Sequence, residues 1–155
     1  MSTSHAQLLD QGRGARVHLH TGMVGLDGHK MSKSLGNLVL VSRLREQGVD
    51  PMAVRLAILG HRYRDDWDWT DEGLHAAEAR LEHWRAAVSG NGGPDADSTL
   101  AAVRAALADD LDTPAALAAI DAWADLSLAG TADHPVEGAP GVIGRTLDAL
   151  LGIRL

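Results

Sequence analysis

The sequence contains no cysteine, no phenylalanine and only one tyrosine, and just two of its fourteen basic residues are lysine. Without cysteine the chain has no disulfide framework and no thiolate ligand for a metal. No run of eighteen apolar residues occurs, so the sequence predicts no membrane span. The N-terminal stretch lacks a basic region followed by an apolar core, which predicts a cytoplasmic protein without a secretory signal.

The composition that remains is typical of a globular protein, with 155 residues of which 45% are apolar and 23% charged. The net charge of −7 is unevenly distributed. Residues 1–41 hold four basic and two acidic side chains, whereas residues 42–155 hold ten arginines and nineteen acidic side chains. Because affinity for nucleic acid depends largely on cations that neutralise phosphates, the acidic part argues against a broad nucleic-acid surface.

The N-terminal part has weak signals of regular structure. One or two helical turns are expected over residues 4–11, and the alternating, β-branched stretch 15–24 predicts a strand. Residues 25–37 are rich in glycine and predict a loop, with Asp27-Gly28 as a turn dipeptide.

From residue 42 onward the signals are helical. Asp50-Pro51 and Thr113-Pro114 each combine a capping residue with a proline that is tolerated at a helix start, and Thr70 is a third predicted cap. Apolar residues recur at helical spacing in four stripes. The sequence therefore predicts a mainly α fold, in which an antiparallel helical bundle follows a short strand and a loop.

Both lysines lie in one short loop, three positions apart, within the stretch KMSKSLGN, residues 30–37. Lysine is a compact, mobile point charge that suits a phosphate group, and glycine and serine allow such a loop to close around it. The glycine spacing matches neither a P-loop nor a dinucleotide-binding fingerprint.

This stretch resembles the KMSKS signature loop of class I aminoacyl-tRNA synthetases, and residues 30–37 are called the signature loop below. In that family a carboxylate attacks the α-phosphate of ATP and pyrophosphate leaves. The resemblance implies that Lys33 contacts the transition state as a catalytic residue, that Lys30 supports it, and that Met31 seats the loop. It further implies that ATP or the adenylate is bound by Val24, Lys30, Met31, Ser32, Lys33 and Ser34.

Flanking stretches extend the resemblance over nearly the whole chain. Residues 17–37, 50–74 and 108–120 are similar to parts of the cysteinyl-tRNA synthetases and of their close relatives, the mycothiol ligases (cysteine:glucosaminyl-inositol ligases). The resemblance implies that residues 1–41 end a class I catalytic domain and that residues 42–155 form a helical bundle domain.

The same resemblance shows what the chain lacks. Enzymes of these families also have a Rossmann half with a HIGH motif, and a zinc held partly by cysteines. Neither is found here, so the chain is expected to be the C-terminal part of a larger enzyme and to be inactive alone. In the intact enzyme the implied cofactors are ATP with Mg²⁺ and zinc, and the missing Rossmann half is an implied partner.

The implied activity is ATP-dependent, AMP-forming activation of L-cysteine, with two possible acceptors: the amine of glucosaminyl-inositol in mycothiol biosynthesis, or tRNA. The acidic charge of residues 42–155, an end directly after the last predicted helix, and the stretch DDWDWTDE (residues 65–72) favour the ligase over cysteinyl-tRNA synthetase. A non-catalytic helical binding module with a relic loop is the alternative of another class.

Two other groups of side chains raise the possibility of a bound cation. His18 and His20 would share one face of the predicted strand, but no third metal ligand is near them in the sequence. Asp109, Asp110 and Asp112 fit a helix end followed by a cap better than a calcium loop. No metal site is predicted within this chain.

The remaining charged and aromatic residues have structural interpretations. Arg62 and Arg64 stand beside Asp65 and Asp66, which predicts a cluster of surface ion pairs. The tryptophans are predicted to pack in the core and between helices; they are Trp67, Trp69, Trp84 and Trp123.

Overall fold

The computed structural model describes residues 18–130 and 134–155, and this part of the chain is mainly helical, as predicted. The predicted helical turns over residues 4–11 lie outside the described residues. Six helices follow one another in the described part of the chain: α1 (Val41–Glu46), α2 (Pro51–Leu59), α3 (Asp71–Ala87), α4 (Asp97–Ala108), α5 (Thr113–Ala129) and α6 (Ala139–Thr146). The last helix continues into a π-helical turn, Leu147–Leu151. None of these helices has the length and hydropathy that a membrane crossing requires.

Five short strands form two small sheets: β1 (Val24–Leu26), β2 (His29–Lys30), β3 (Trp67–Trp69), β4 (Gly92–Gly93) and β5 (Val136–Glu137). In the first sheet, β1 lies between β2, which is antiparallel to it, and β3, which is parallel to it. In the second, β4 and β5 pair in antiparallel fashion and join two segments that are far apart in sequence.

The predicted strand over residues 15–24 is wrong where the structure describes it. Residues 18–23 have no regular structure, and the strand begins only at Val24. The predicted loop over residues 25–37 instead starts with a β-hairpin. Alternation over residues 18–23 was misleading because these residues have no hydrogen-bonded neighbour strand, whereas β1 gains two neighbours from distant parts of the chain.

Two predicted helix starts are confirmed by side-chain caps. Helix α2 begins at Pro51, and the Asp50 carboxylate accepts a hydrogen bond from the Met52 N–H at 2.8 Å. At the start of helix α3, Thr70 Oγ1 accepts from the Gly73 N–H at 3.0 Å. Each bond satisfies one of the N–H groups that have no partner within the first turn of a helix.

The cap predicted at Thr113 is displaced by one residue. Helix α5 begins at Thr113, and its cap is Asp112, whose Oδ1 accepts from the Ala115 N–H at 3.1 Å. The Thr113 hydroxyl instead donates to the carbonyl oxygen of His61 at 3.2 Å. Asp112 precedes the helix with non-helical backbone, which lets its side chain turn back to the free N–H groups.

The core lies between the helices, with α4 packed against α5, α2 against α3, and α3 against α5. Trp69, Trp84 and Trp123 are buried in it, as predicted. Trp84 and Trp123 lie on helices, and the indole N–H of each has an acceptor. Trp84 Nε1 donates to Asp121 at 2.8 Å, and Trp123 Nε1 donates to the Pro94 carbonyl oxygen at 2.9 Å. Trp67 is half-buried and packs against the edge of this core.

Helix α4 ends at Ala108, and Leu111, in the turn that follows, is 48% exposed. The predicted pairing of Arg62 and Arg64 with the neighbouring aspartates is wrong. Arg62 forms its ion pair with Asp112 and Arg64 with Asp110, both across the fold. Long arginine side chains reach this turn because the Thr113–His61 hydrogen bond holds the two segments side by side.

Candidate functional site

The signature loop begins at the end of a tight hairpin. Strands β1 and β2 are joined by Asp27 and Gly28, which both have left-handed backbone conformations with φ of 53° and 73°. Turns of this kind match the twist of paired strands. The register places Lys30 opposite Gly25, so the first lysine leaves the sheet at a fixed position.

Two aspartates that sequence analysis assigned to no functional role anchor this hairpin. Asp68 Oδ2 accepts a hydrogen bond from the Gly28 N–H at 2.9 Å, and Asp66 Oδ1 accepts from the Met23 N–H at 2.6 Å. The intervening Trp67 donates its backbone N–H to the carbonyl oxygen of Met23 at 3.0 Å. The alternation Asp66-Trp67-Asp68 was the available signal, because residues two apart share one face of a strand.

The signature loop is closed by the side chain of Asn37. Its Oδ1 accepts from the Ser32 N–H at 2.8 Å, and its Nδ2 donates to the carbonyl oxygen of Lys30 at 3.2 Å. Within the closed segment, the Ser32 hydroxyl oxygen accepts from the Leu35 N–H at 3.2 Å and lies 3.2 Å from the Ser34 hydroxyl. The loop is therefore a small hydrogen-bonded unit.

The loop presents its two lysines to solvent. Lys30 and Lys33 are exposed, and neither forms an ion pair with another described residue. Next to the loop lies an open depression of about 450 Å³, which Lys30 borders on one side and Asp66 and Asp68 on the other. Two exposed ammonium groups in one short loop, of which Lys30 borders this depression, are suited to bind an anion such as a phosphate.

The residues between the two lysines seat the loop on the helical part of the chain. Met31 is half-buried and packs against the core, where it lines a 150 Å³ apolar cleft together with Val24 and Val54. Val24 lies on β1 and also lines a second, larger cleft of about 500 Å³. Val24 and Met31 were both predicted to bind nucleotide. They line the same apolar cleft and thus lie close to each other.

An aromatic pair lies beside Val24 at the larger cleft. The rings of His61 and Trp67 are stacked, with centroids 4.0 Å apart and planes inclined by 10°. Partial burial lowers the pKa of His61 below its ordinary value because the charged imidazolium loses hydration there. His61 is therefore held in its neutral form, which suits stacking on an indole.

The other candidate ligand groups are not brought together. His18 and His20 are exposed and lie outside any strand, so the shared strand face on which their pairing depended does not exist. Asp112 is a helix cap, as the cap interpretation predicted, and Asp110 is held by Arg64 and Tyr63. Among residues 18–130 and 134–155, no three His, Asp or Glu side chains are grouped in a way that could hold a metal ion.

Comparison with known proteins defines the class to which this arrangement belongs. Residues 2–79 match the family described as tRNA synthetases class I (C) catalytic domain, which is half of the chain and includes the hairpin and the whole signature loop. The chain belongs to this family.

Individual relatives have names that are more specific than the family description. Curated proteins named L-cysteine:1D-myo-inositol 2-amino-2-deoxy-alpha-D-glucopyranoside ligase match at 67% identity in Sanguibacter keddieii, 62% in Cellulomonas flavigena and 57% in Streptomyces coelicolor. These matches cover 99–100% of this chain but only 37–38% of the relatives, so the chain spans less than two-fifths of their length.

A solved structure agrees on the fold. The chain superimposes with a TM-score of 0.70 on part of a leucyl-tRNA synthetase from Agrobacterium radiobacter K84. That enzyme was crystallised as the ternary complex agnB2 LeuRS-tRNA-LeuAMS. The match covers 85% of this chain and 21% of that chain at 22% identity, which is evidence for a shared fold alone.

Proposed function

We propose that this chain is the C-terminal part of an ATP-dependent ligase that activates L-cysteine as cysteinyl-adenylate and transfers it to the amine of glucosaminyl-inositol, a step of mycothiol biosynthesis. The observation that carries the chemistry is the closed signature loop with two exposed lysines, neither of which forms an ion pair with another described residue. The choice of substrates is supported by the names of the relatives that are 57–67% identical over nearly all of the chain.

In the first half-reaction, the cysteine carboxylate oxygen attacks the α-phosphorus of ATP, a new P–O bond forms, and the bond to the bridging oxygen breaks as pyrophosphate leaves. Negative charge grows on the leaving phosphates. Lys33, at the exposed turn of the loop, stabilises that charge, and Lys30 supports it from the end of β2. Mg²⁺ accompanies ATP as a counterion of its phosphates.

The remaining predicted site residues bind rather than react. The backbone around Val24 contacts the adenine, and the hydroxyls of Ser32 and Ser34, 3.2 Å apart, are available to phosphate oxygens. Met31 fixes the loop through its apolar contact with the core. Zinc, if the intact enzyme uses it to select the thiol of cysteine, takes its ligands from outside this chain, which has no cysteine.

In the second half-reaction, the amine nitrogen of the amino-sugar attacks the carbonyl carbon of the adenylate. An amide bond forms, the bond to AMP breaks, and the amine loses a proton. The intact polypeptide, which includes the Rossmann half, is the unit in which this happens, and the chain alone is expected to form no adenylate.

Cysteinyl-tRNA synthetase is the second candidate, because it would use the same first half-reaction. The charge of residues 42–155, with ten arginines against nineteen acidic side chains, favours a small uncharged acceptor over a polyanion. A non-catalytic helical module is the third, and it would leave the exposed lysines of the loop without a role.

Incubation of the intact protein with ATP, L-cysteine and one of the two acceptors distinguishes these functions. We expect AMP release and a product with the mass of cysteine joined by an amide bond to glucosaminyl-inositol. Charging of tRNA with cysteine in place of that product would favour the synthetase. Absence of both products and of pyrophosphate release would favour the non-catalytic module.

A further inference from the structure

The side chain of Asn37 pairs with the backbone on both sides of Met31, in the manner of a neighbouring strand. Its Oδ1 accepts from the Ser32 N–H at 2.8 Å and its Nδ2 donates to the Lys30 carbonyl at 3.2 Å. An amide side chain offers an acceptor and a donor in one plane. Asn37 is also half-buried, so its hydrogen bonds face less competition from water than those of a fully exposed loop residue.

The rest of the loop closes within this pair of bonds. The Gly36 N–H donates to the Lys33 carbonyl oxygen at 3.3 Å, and Gly36 has a left-handed backbone with φ of 67°. The Leu35 N–H donates to the Ser32 hydroxyl oxygen at 3.2 Å. Lys33 therefore lies at the turn of a segment whose two ends are tied together by one side chain.

This arrangement has a consequence for binding and rate. Fixing the backbone of a residue costs conformational entropy, and a loop that is ordered only by nucleotide loses that entropy at each turnover. A loop that Asn37 has already closed loses this conformational entropy once, when the chain folds. Lysines held on a preorganised segment also need less rearrangement as charge develops.

We propose that Asn37 is a positioning residue that fixes the internal hydrogen-bonded shape of the signature loop before nucleotide binds and thereby fixes where Lys33 lies within that loop. This inference rests on the proposed function for its kinetic consequence, but the closure itself is a property of the free chain. Asn37 does not touch the reacting atoms and acts through the placement of Lys33.

The closure is tested on the chain without nucleotide by amide hydrogen exchange measured by NMR. Asn37→Ala should speed exchange of the Ser32 N–H about tenfold, the effect expected for loss of one or two hydrogen bonds. Asn37→Asp keeps the acceptor but not the donor, so it should leave the Ser32 N–H protected. The matched control is Asn91→Ala, an exposed asparagine whose only described hydrogen bond is accepted by its backbone carbonyl. Unchanged exchange at Ser32 in Asn37→Ala would overturn the proposal.

The positioning role is tested in the intact protein by cysteine-dependent ATP–pyrophosphate exchange. Asn37→Ala should lower kcat about tenfold with little change in the KM for ATP, whereas Asn91→Ala should not. In a Lys33→Ala background, Asn37→Ala should lower the remaining rate less than about twofold, because the group that it positions is gone. Equal losses in both backgrounds would mean a general structural role and would overturn the proposal.

The experiments distinguish failure of the proposed loop function from failure of the positioning role of Asn37. If Lys33→Ala exchanges pyrophosphate normally, the proposed function of the loop fails. If Lys33→Ala is impaired but Asn37→Ala is not, the catalytic role of the loop stands and only the positioning role of Asn37 is wrong.

Discussion

Asp68 occupies the space that a side chain at position 25 would need. The two residues are register partners across β1 and β3, and a Cβ added to Gly25 would overlap Asp68 Oδ1. The same carboxylate accepts from the Gly28 N–H, so its position is fixed by the turn of the hairpin. The absence of a side chain at Gly25 is thus a condition for anchoring the strand that leads into the signature loop.

Gly25→Ala should therefore destabilise the chain by about 0.5–1.5 kcal/mol, because the added Cβ displaces the Asp68 carboxylate from its hydrogen bond with the Gly28 N–H. The control is Gly144→Ala in α6, where an added Cβ meets no atom within 4 Å. Alanine there should be neutral or stabilise by about 0.5–1 kcal/mol, because glycine is the more flexible residue in the unfolded chain. Urea unfolding of both variants measures the difference, and equal stabilities would contradict the close approach of Asp68.

Helix α5 provides a test of the core within one element. Leu117 is 1% exposed and Leu126 is 52% exposed. Leu117→Ala should cost about 2–5 kcal/mol through lost burial and the cavity that remains. Leu126→Ala should change stability by less than about 0.5 kcal/mol. A similar loss at both positions in urea unfolding would mean that this face of α5 is not the buried one.

The start of helix α2 predicts a pH dependence. Hydrogen bonds from the Met52 N–H and from Arg85, the latter at 2.7 Å, hold the pKa of Asp50 below its ordinary value. Because the folded pKa is the lower one, the ionised carboxylate stabilises the fold above the ordinary pKa of about 3.9, and this contribution is lost as the pH falls through the folded value.

Asp50→Asn keeps a capping oxygen but cannot ionise. The variant should be less stable than the wild type near pH 7, and the difference should disappear as the pH is lowered below about 4. Thermal melts between pH 2.5 and 7 measure it, with Arg85→Gln as a second variant that should weaken the same dependence. A difference between Asp50→Asn and the wild type that stays constant over this range would contradict the role of the charge.

We also propose that residues 42–155 form a separate helical domain that folds without residues 1–41. Helix α1 begins at Val41, one residue before the predicted boundary, and the helix pairs that build the core all lie beyond it. The sheet crosses the boundary, since β3 pairs with β1. Circular dichroism of residues 42–155 should show a helical, cooperative melt at reduced stability, because Trp69 loses its neighbouring strand. A non-cooperative melt would contradict the division.

Much of the helical part could be predicted from the sequence, because caps and apolar spacing act within a few residues. Asp50 and Thr70 were found in this way, and the displaced cap at Asp112 differs from the prediction by one position. The strands could not be predicted, since segments of two or three residues have no usable periodicity. Two of the three described strand pairs, β1 with β3 and β4 with β5, also join residues more than forty positions apart.

The candidate site also has one part that could be recognised in the sequence and one part that could not. The signature loop was recognisable from eight consecutive residues, and the catalytic role of its two lysines stays a prediction. The supporting contacts were not recognisable. Asp66 was interpreted by its neighbours in sequence and Asp68 had no interpretation, but in the structure they accept hydrogen bonds from backbone N–H groups 43 and 40 residues away. Carboxylates choose partners by geometry, which adjacency in sequence does not determine.

We propose that the signature loop is catalytic and that Lys33 is its most important residue. Lys33 is exposed and free of ion pairs within the described part of the chain, so its charge is available to a leaving pyrophosphate. One preorganised charge in the transition state is typically worth about 3–4 kcal/mol, or roughly two to three orders of magnitude in rate.

Cysteine-dependent ATP–pyrophosphate exchange by the intact protein is the most direct measurement. Lys33→Ala should lower kcat and kcat/KM together by about two to three orders of magnitude. Lys33→Arg should recover only part of the rate because a rigid guanidinium cannot follow the leaving group as a compact ammonium does. Arg104→Ala, which removes an exposed cation from α4, should have no effect. Exchange at the wild-type rate in Lys33→Ala would contradict the account.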